Sequence, residues 1–135
     1  MIRPRGNRTG GQALVEFALV FPLIMLLLVA VFDLGRLVFA YTDITNAARS
    51  GARVAIVNQS VVAVRDAAKR QATGLGLTDA DVGVAFPACP TIDIGCIAQV
   101  DVRFEWTAIT PIIGNIVGPV TVQTTSRMPI ERIFP

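Results

Sequence analysis

The residues that could carry out chemistry in this chain are few and widely spaced. The sequence of 135 residues has no His, which removes the commonest general base and metal ligand. Its two cysteines, Cys89 and Cys96, do not form a metal-binding motif, and the sequence has no nucleophile–base pairing or phosphate-binding loop. We therefore expect no enzyme activity, no cofactor and no small-molecule substrate.

One carboxylate, Glu16, stands inside an otherwise apolar segment. Every residue from Phe17 to Phe32 is apolar or Pro, and Ala13–Val15 extend the segment before Glu16. About twenty such residues, at about 1.5 Å each, span a hydrocarbon core of about 30 Å. The sequence therefore predicts one transmembrane helix over residues 12–32. Pro22 removes one backbone hydrogen bond within it and should kink the helix.

The charges on either side of this segment predict its direction in the membrane. Arg3, Arg5 and Arg8 precede it, whereas charges of both signs follow it. The positive-inside rule then puts the N-terminus in the cytoplasm and the C-terminal part outside the cytoplasmic membrane. The net charge of +2 comes from this basic tail. We expect no nucleic-acid partner, which would need a clustered basic face on the folded part.

A secretory signal peptide cut after Ala40 is an alternative to a retained membrane helix. The apolar run, however, is longer than the usual stretch of about 7–15 residues in signal peptides. Asp33 and Arg36 also separate the run from that cut. A retained helix is therefore the preferred interpretation.

The sequence from Gly10 to Phe17 resembles the processing site of type IV prepilins. A basic leader ends in Gly, and an acid follows five residues later inside an apolar helix. The resemblance implies a cut between Gly11 and Gln12 by a membrane aspartic peptidase, with residues 1–11 as the leader. Glycine suits such a cut because its backbone, with no Cβ, can lie extended in a tight cleft.

Two explanations of Glu16 remain open. A carboxylate at the centre of a membrane helix costs about 2.5–3.5 kcal/mol, and less near the interface. In the first explanation Glu16 lies at headgroup depth and has no further role. In the second it pairs with the new α-amino group of Gln12 on a neighbouring subunit. Such pairing would mark register during assembly, because only a correctly docked subunit buries the charge paired.

A longer stretch resembles the TadE-like family. The matching residues are Val15–Pro22 with the Leu-rich run after them, Asp33-Leu34-Gly35-Arg36, and Asn46–Arg53. The resemblance implies a minor pilin or pseudopilin of the tight-adherence (Tad/Flp) pilus. It also implies three kinds of partner: the prepilin peptidase, other pilin subunits or further copies of this chain, and the pilus assembly platform.

The helical pattern continues beyond the membrane segment. After Phe32, apolar residues recur at three- and four-residue spacing, with charged residues mainly between them. We expect one helix from about Ala13 to Val57, with residues 33–58 as its extracytoplasmic continuation.

A row of small residues lies on this continuation, at Ala47, Gly51 and Ala55. Small residues at four-residue spacing permit close contact between helices. The row therefore either contacts a neighbouring subunit during assembly or lies against the head of its own chain.

The remaining residues, 59–135, are predicted to form a small α+β head. Ser60 can cap a short second helix that runs to about Thr73, followed by Gly74. Apolar residues at every second position then predict strands over about 82–86, 100–107 and 120–128. We expect a small antiparallel, pilin-like sheet with the helices packed on its apolar face.

Two loops of the head carry further predictions. Cys89 and Cys96 lie in a Pro- and Gly-containing loop on the outer side, where thiols can be oxidised, and we predict a disulfide between them. The connection 110–119 is longer than the usual hairpin loop of about 2–5 residues. Its apolar residues either cover the edge of their own sheet or form an exposed patch that docks on a neighbouring subunit. These residues are Ile112, Ile113, Ile116 and Val117.

Two functions agree with these features. In the first, the chain is a structural pilin-like subunit that loses its leader and assembles through its N-terminal helix. In the second, it is an uncleaved bitopic component, anchored in membrane lipid, of a pilus or secretion platform. The N-terminal residue of the mature protein distinguishes them.

Overall fold

A computed structural model describes residues 9–87 and 89–134, without the side chains of Thr9, Ile112 and Ile113. The elements within the described residues follow in the order α1 (Thr9–Ala55), α2 (Val61–Gln71), β1 (Val82–Ala85), β2 (Ile97–Trp106), α3 (Pro111–Val117) and β3 (Val120–Pro129). The long helix, the short second helix and the small antiparallel sheet confirm the predicted α+β fold.

Helix α1 has 47 residues and is therefore about 70 Å long. It includes the predicted membrane segment and passes through Pro22, but it ends at Ala55, three residues before the end of the predicted continuation 33–58. It begins at Thr9, a few residues before the expected start. Just after the last residue of α1, Ile56 O accepts hydrogen bonds from the backbone N–H groups of Glu131 and Arg132. The segment that follows β3 is thereby attached at the end of α1.

Helix α2 follows a short turn after α1 and ends earlier than the sequence suggested. Ser60 occupies the N-cap position, but its side chain makes no capping hydrogen bond. The helix stops at Gln71, and a 3-10 turn over Thr73–Leu75 follows. The glycine with a left-handed backbone (φ 64°) after this turn is Gly76, and not Gly74, at which the sequence predicts the helix stop.

The sheet has the strand order β1-β2-β3, and both pairs are antiparallel. Val102 pairs with Val82 of β1 and with Thr124 of β3. The inner face of β2 buries Ala98, Val100, Val102 and Trp106, as the alternation predicted. Its outer face is polar, and Thr125 there donates a hydrogen bond to Asp101 across the strands. One face of the sheet is therefore free to pack on helices.

The head packs on the C-terminal half of α1 through small side chains. Ala47 and Ala55 are fully buried, and Gly51 lies between them. A Cβ built on Gly51 would lie 3.1 Å from Cγ1 of Val100 and 3.4 Å from Cβ of Ala68. The row of small residues therefore lies against the head of its own chain, the second of the two alternatives, and leaves no surface there for a neighbouring helix.

The contacts also give the direction of the head along α1. The distal end of the head, meaning the end farthest from the predicted membrane segment, lies beside the C-terminal end of α1. There the N–H of Ile130 donates a hydrogen bond to Cys96 O. Strand β2 runs back from there, antiparallel to α1, and ends at Trp106 beside Phe32 and Phe39. The connection from β2 to β3 is therefore at the end of the head nearest the predicted membrane segment.

The predicted disulfide is present at the distal end. Cys89 and Cys96 are bonded, with their Cα atoms 6.0 Å apart, a normal separation for a disulfide. The bridge closes the loop between β1 and β2, and the N–H of Gly95 in that loop donates to Ile130 O. The loop is thereby attached to the segment that follows β3.

The close contact at Gly51 predicts a stability effect. Gly51→Leu should lower the free energy of unfolding of the head by about 1–3 kcal/mol or more, because its side chain would overlap Val100 and Ala68. Thermal unfolding of the full chain in detergent measures this. Gly35→Leu is the matched control, since no described atom lies within 4 Å of its added Cβ. Equal unfolding temperatures for the two variants would contradict the packing.

Candidate membrane and assembly surface

Among residues 9–87 and 89–134, no part of the head covers the N-terminal half of α1. Its side chains are exposed from Gly11 to Val29, and the large apolar residues remain largely exposed as far as Tyr41. By length and composition, the Gly11–Ala55 part of α1 is long and apolar enough to cross a membrane. An exposed apolar surface of this length needs lipid or other protein to cover it.

The predicted processing residues lie at the start of α1. Gly11 and Gln12 are both helical, and no described atom comes within 4 Å of a Cβ built on Gly11. Cleavage between them would require the first turn of the helix to open. Gly10 and Gly11 favour this opening, because each Gly lowers the stability of a helix by roughly 1 kcal/mol relative to Ala.

Glu16 is exposed on α1 and has a polar neighbour in its own chain. Nε2 of Gln12 donates a hydrogen bond to Oε1 of Glu16 over 3.3 Å, across one helical turn. The two residues that the second explanation joins between subunits are therefore on the same face of one helix. A charged amino group at residue 12 would strengthen such a contact, since charge-assisted hydrogen bonds are roughly twice as strong as neutral ones.

A buried carboxylate joins α1 to the head where the predicted membrane segment ends. Asp33 is only 3% exposed. Its Oδ1 accepts a hydrogen bond from the backbone N–H of Ile109, and its Oδ2 accepts from the N–H of Thr110, both over 3.1 Å. The Thr110 hydroxyl also donates to Oδ2 over 2.6 Å. Three donors from one segment, 76 and 77 residues away in sequence, therefore converge on this carboxylate.

These hydrogen bonds stabilise the charged form of Asp33. The Thr110 hydroxyl has the largest effect and lowers the pKa of Asp33; burial opposes this, and the two backbone N–H groups and Arg36 lower the pKa further. Arg36 reaches Oδ1 over 3.4 Å, and its side chain is half exposed. The net pKa lies below the ordinary value, so Asp33 is an anion at neutral pH.

The segment bonded to Asp33 leads directly into α3. Thr110 is the N-cap residue of α3, but its hydroxyl bonds Asp33 instead of capping the helix. Pro111 begins the helix, and Gly118, with φ 70°, follows its end. Ile116 is 79% exposed, and Val117 is also exposed. Ile112 and Ile113 belong to the same predicted contact, but their side chains lie outside the described part of the structure.

Two apolar clefts flank α1 beneath the head. The first lies between α1 and the end of β2 and is lined by Phe32, Phe39, Leu75, Phe104 and Trp106. The Nε1 of Trp106 is buried and has no hydrogen-bond partner among the described residues. The second lies between α1 and the start of β3 and is lined by Leu37, Val38, Tyr41 and Val122. Both clefts extend the apolar surface of α1 onto the head.

The molecule is thus an exposed apolar helix that carries a small disulfide-bonded α+β head. Within residues 9–87 and 89–134, no group of three or more His, Cys, Asp or Glu side chains could hold a metal ion. Residues 11–53 match the family model described as TadE-like protein, which confirms the resemblance predicted from the sequence. No curated protein and no solved structure gives a match.

The link between Asp33 and Thr110 was not predicted. In the sequence, Asp33 stands out only as a charge after the membrane segment and as part of the family resemblance. Thr110 followed by Pro111, with Gly118 after a short interval, is a local signal for a short helix. No sequence signal shows that this segment meets Asp33, because the pairing depends on how far β2 runs back along α1.

The convergence on Asp33 predicts a local change in Asp33→Asn. An amide cannot accept from three donors as a carboxylate does, so the N–H groups of Ile109 and Thr110 should exchange with solvent faster, on the order of tenfold or more at neutral pH. Hydrogen exchange of the full chain in lipid nanodiscs measures this. Asp93→Asn is the control, since among the described residues the Asp93 carboxylate accepts only the adjacent N–H of Ile94.

The pH dependence has a definite sign. The folded pKa of Asp33 is lowered, so its contribution is complete above the pKa of an unfolded Asp, about 3.9, and is lost as pH falls through the folded value. Protection of Ile109 and Thr110 should therefore persist from neutral pH through the ordinary Asp range and fall only below it. Loss of protection near pH 5 would contradict the assigned hydrogen bonds.

Proposed function

We propose that the chain is a pilin-like structural subunit, a minor pilin or pseudopilin, of a Tad/Flp-type pilus. In this proposal a prepilin peptidase removes residues 1–11, and the mature chain assembles through α1 with other subunits. The N-terminus is cytoplasmic before assembly, and the head is outside the cytoplasmic membrane. The match of residues 11–53 to the TadE-like model supports the pilus association.

The exposed apolar surface of α1 is the observation that carries the proposal. It extends from Leu14 to Tyr41, about 40 Å along the helix. A hydrocarbon core is about 30 Å thick, so in an upright helix the part of this surface nearest the head lies beyond the core, at the level of the headgroups. Helices of neighbouring subunits would cover it, and the apolar clefts beneath the head continue the same surface.

The burial of the small-residue row excludes this row from the proposed contact between subunits. Ala47, Gly51 and Ala55 are buried under their own head and are not part of the proposed contact. The contact would instead use the uncovered part of α1, which includes Pro22. Glu16 lies near the start of that part, where it can meet residue 12 of a neighbouring chain. The head then extends outward from the helical bundle.

The second candidate is an uncleaved, membrane-anchored component of a pilus or secretion platform. It is favoured by the helical conformation of Gly11 and Gln12, which a peptidase would have to open. It uses the same span and head but retains residues 1–11. The two candidates therefore differ in the mass of the mature chain.

Processing should depend on Gly11. Expression with the cognate prepilin peptidase should remove residues 1–11, and Gly11→Trp should block the cut because a bulky side chain does not fit a cleft that accepts glycine. Intact-mass analysis of the chain from membranes measures both. Leu19→Trp, at an exposed position within the span, is the control and should be processed normally. Full-length wild-type chain beside active peptidase would favour the uncleaved candidate.

Assembly should depend on the charge of Glu16. Glu16→Leu should insert normally, because it removes an insertion cost of up to about 3 kcal/mol, but less of it should enter sheared pili. Glu16→Gln keeps the size and the contact with Gln12, so a similar loss in this variant would assign the effect to charge. Leu19→Ala is the control for the span. Normal recovery of both Glu16 variants in pili would instead support a headgroup position without further role.

A further inference from the structure

The bilayer boundary on the outer side can be located along α1. Residues 17–32 carry no charge, and Asp33 and Arg36 are the first charged residues after them. Tyr41 is exposed about 12 Å further along the helix. Tyrosine is enriched at membrane interfaces, and arginine near a helix end can extend its charged group to the headgroups. The segment from Asp33 to Tyr41 therefore lies at the interface.

Asp33 holds the head at the end of this interfacial segment that is nearest the hydrocarbon core. The Asp33 carboxylate bonds the backbone N–H groups of both Ile109 and Thr110, so that backbone lies about 3 Å from it. Helix α3 begins at the next residue, Pro111. The connection between β2 and β3 is thus at the height where the uncharged run of α1 ends, independently of any partner.

The surface of this connection suits lipid. We call Ile109–Gly118 the membrane-proximal tip. It contains no charged residue, and Asn115 is its only amide side chain. Ile109 and Ile116 are 69% and 79% exposed, and Val117 is also exposed. These exposed apolar residues lie on a short uncharged segment beside the end of a membrane span. They are therefore close to lipid whenever the span is in the membrane.

We propose that the membrane-proximal tip enters the headgroup–acyl boundary of the outer leaflet, so that the head lies on the bilayer while the chain resides there. A neighbouring subunit is the alternative occupant, but it would have to bring an apolar surface to the same height. The tip offers no charged group that would select such a partner. The proposal needs the span of α1 and does not depend on cleavage or pilus assembly.

A second membrane contact would restrict how the head moves. A single helix leaves the head free to rotate about the helix axis and to tilt. The tip lies to one side of α1, so its insertion would fix which face of the head points towards the membrane. Asp33 would act as the positioning residue, since it holds the tip at the correct height without contacting lipid.

Spin labels on the full chain can test this directly. Ile116→Cys gives the probe and Val62→Cys the matched control, because Val62 is 67% exposed near the start of α2, at the opposite end of the head. The native cysteines are joined in a disulfide and do not take the label. Each variant is reconstituted at low protein-to-lipid ratio in phosphatidylethanolamine–phosphatidylglycerol vesicles, and accessibility to oxygen and to a water-soluble nickel chelate is measured.

We expect the label at residue 116 to be more accessible to oxygen than to the nickel chelate, at a depth of about 5–10 Å as for interfacial helices. The label at residue 62 should show the reverse. Equal nickel accessibility at the two positions would overturn the proposal. So would a label at 116 that is shielded from both reagents and shows spin–spin broadening that dilution with unlabelled chain removes, since this would identify a neighbouring subunit as the occupant.

Val117→Cys provides a second probe of the same tip, and unfolding temperatures equal to that of the wild type show that the labelled heads are intact. Intact mass of the same samples shows whether residues 1–11 are present. Failure of tip insertion and failure of processing are therefore recorded separately.

Discussion

The contact at Gly51 fixes the position of the head along α1. Because Val100 and Ala68 approach this residue so closely, neither β2 nor α2 can shift along the helix without a clash or a cavity. Strand β2 then runs back along α1 for ten residues and ends beside Phe32 and Phe39. The height at which the following connection leaves the sheet is therefore set by packing some 25–30 Å away, at about 3.3 Å per residue. Asp33 reaches the donors of Ile109 and Thr110 only because the length of β2 matches the distance along α1 from Gly51 back to Asp33.

The single helix serves two environments, and its sequence changes accordingly. From Leu14 to Phe32 it exposes large apolar side chains all around, whereas from Ala40 to Ala55 it buries mainly alanines on one side. Large side chains suit lipid, since they fill a fluid solvent without needing a fitted surface. Small side chains suit the head, since they let strands and helices approach the backbone. Asp33 lies at the change between the two, where the head supplies three hydrogen-bond donors to its carboxylate.

The sequence predicted the helices and strands better than it predicted the contacts between them. The apolar run, the alternation in β2 and the Cys89–Cys96 bridge each depend on local pattern, and the structure confirms them. The burial of Ala47, Gly51 and Ala55 could not be decided, because small residues favour close packing against any helix or sheet. Helix α3 was missed because seven residues are too few to show a period and its glycine suggested a loop. The Asp33 cluster combines residues far apart in sequence, so only the fold could bring it into view.

Assembly from the membrane would place unusual weight on a few polar groups. Moving the apolar part of α1 from lipid to a bundle of helices exchanges one apolar environment for another, so the hydrophobic effect contributes little to that step. Packing shape and polar pairs must then decide which subunits join and in what register. Within residues 12–32, the polar side chains are Gln12 and Glu16, one turn apart at the start of the helix. In the proposed assembly, a carboxylate that is costly in lipid would be stabilised when the amino group of a neighbouring chain meets it. The same polar groups that raise the free-energy cost of placing the isolated span in lipid would therefore favour the assembled state.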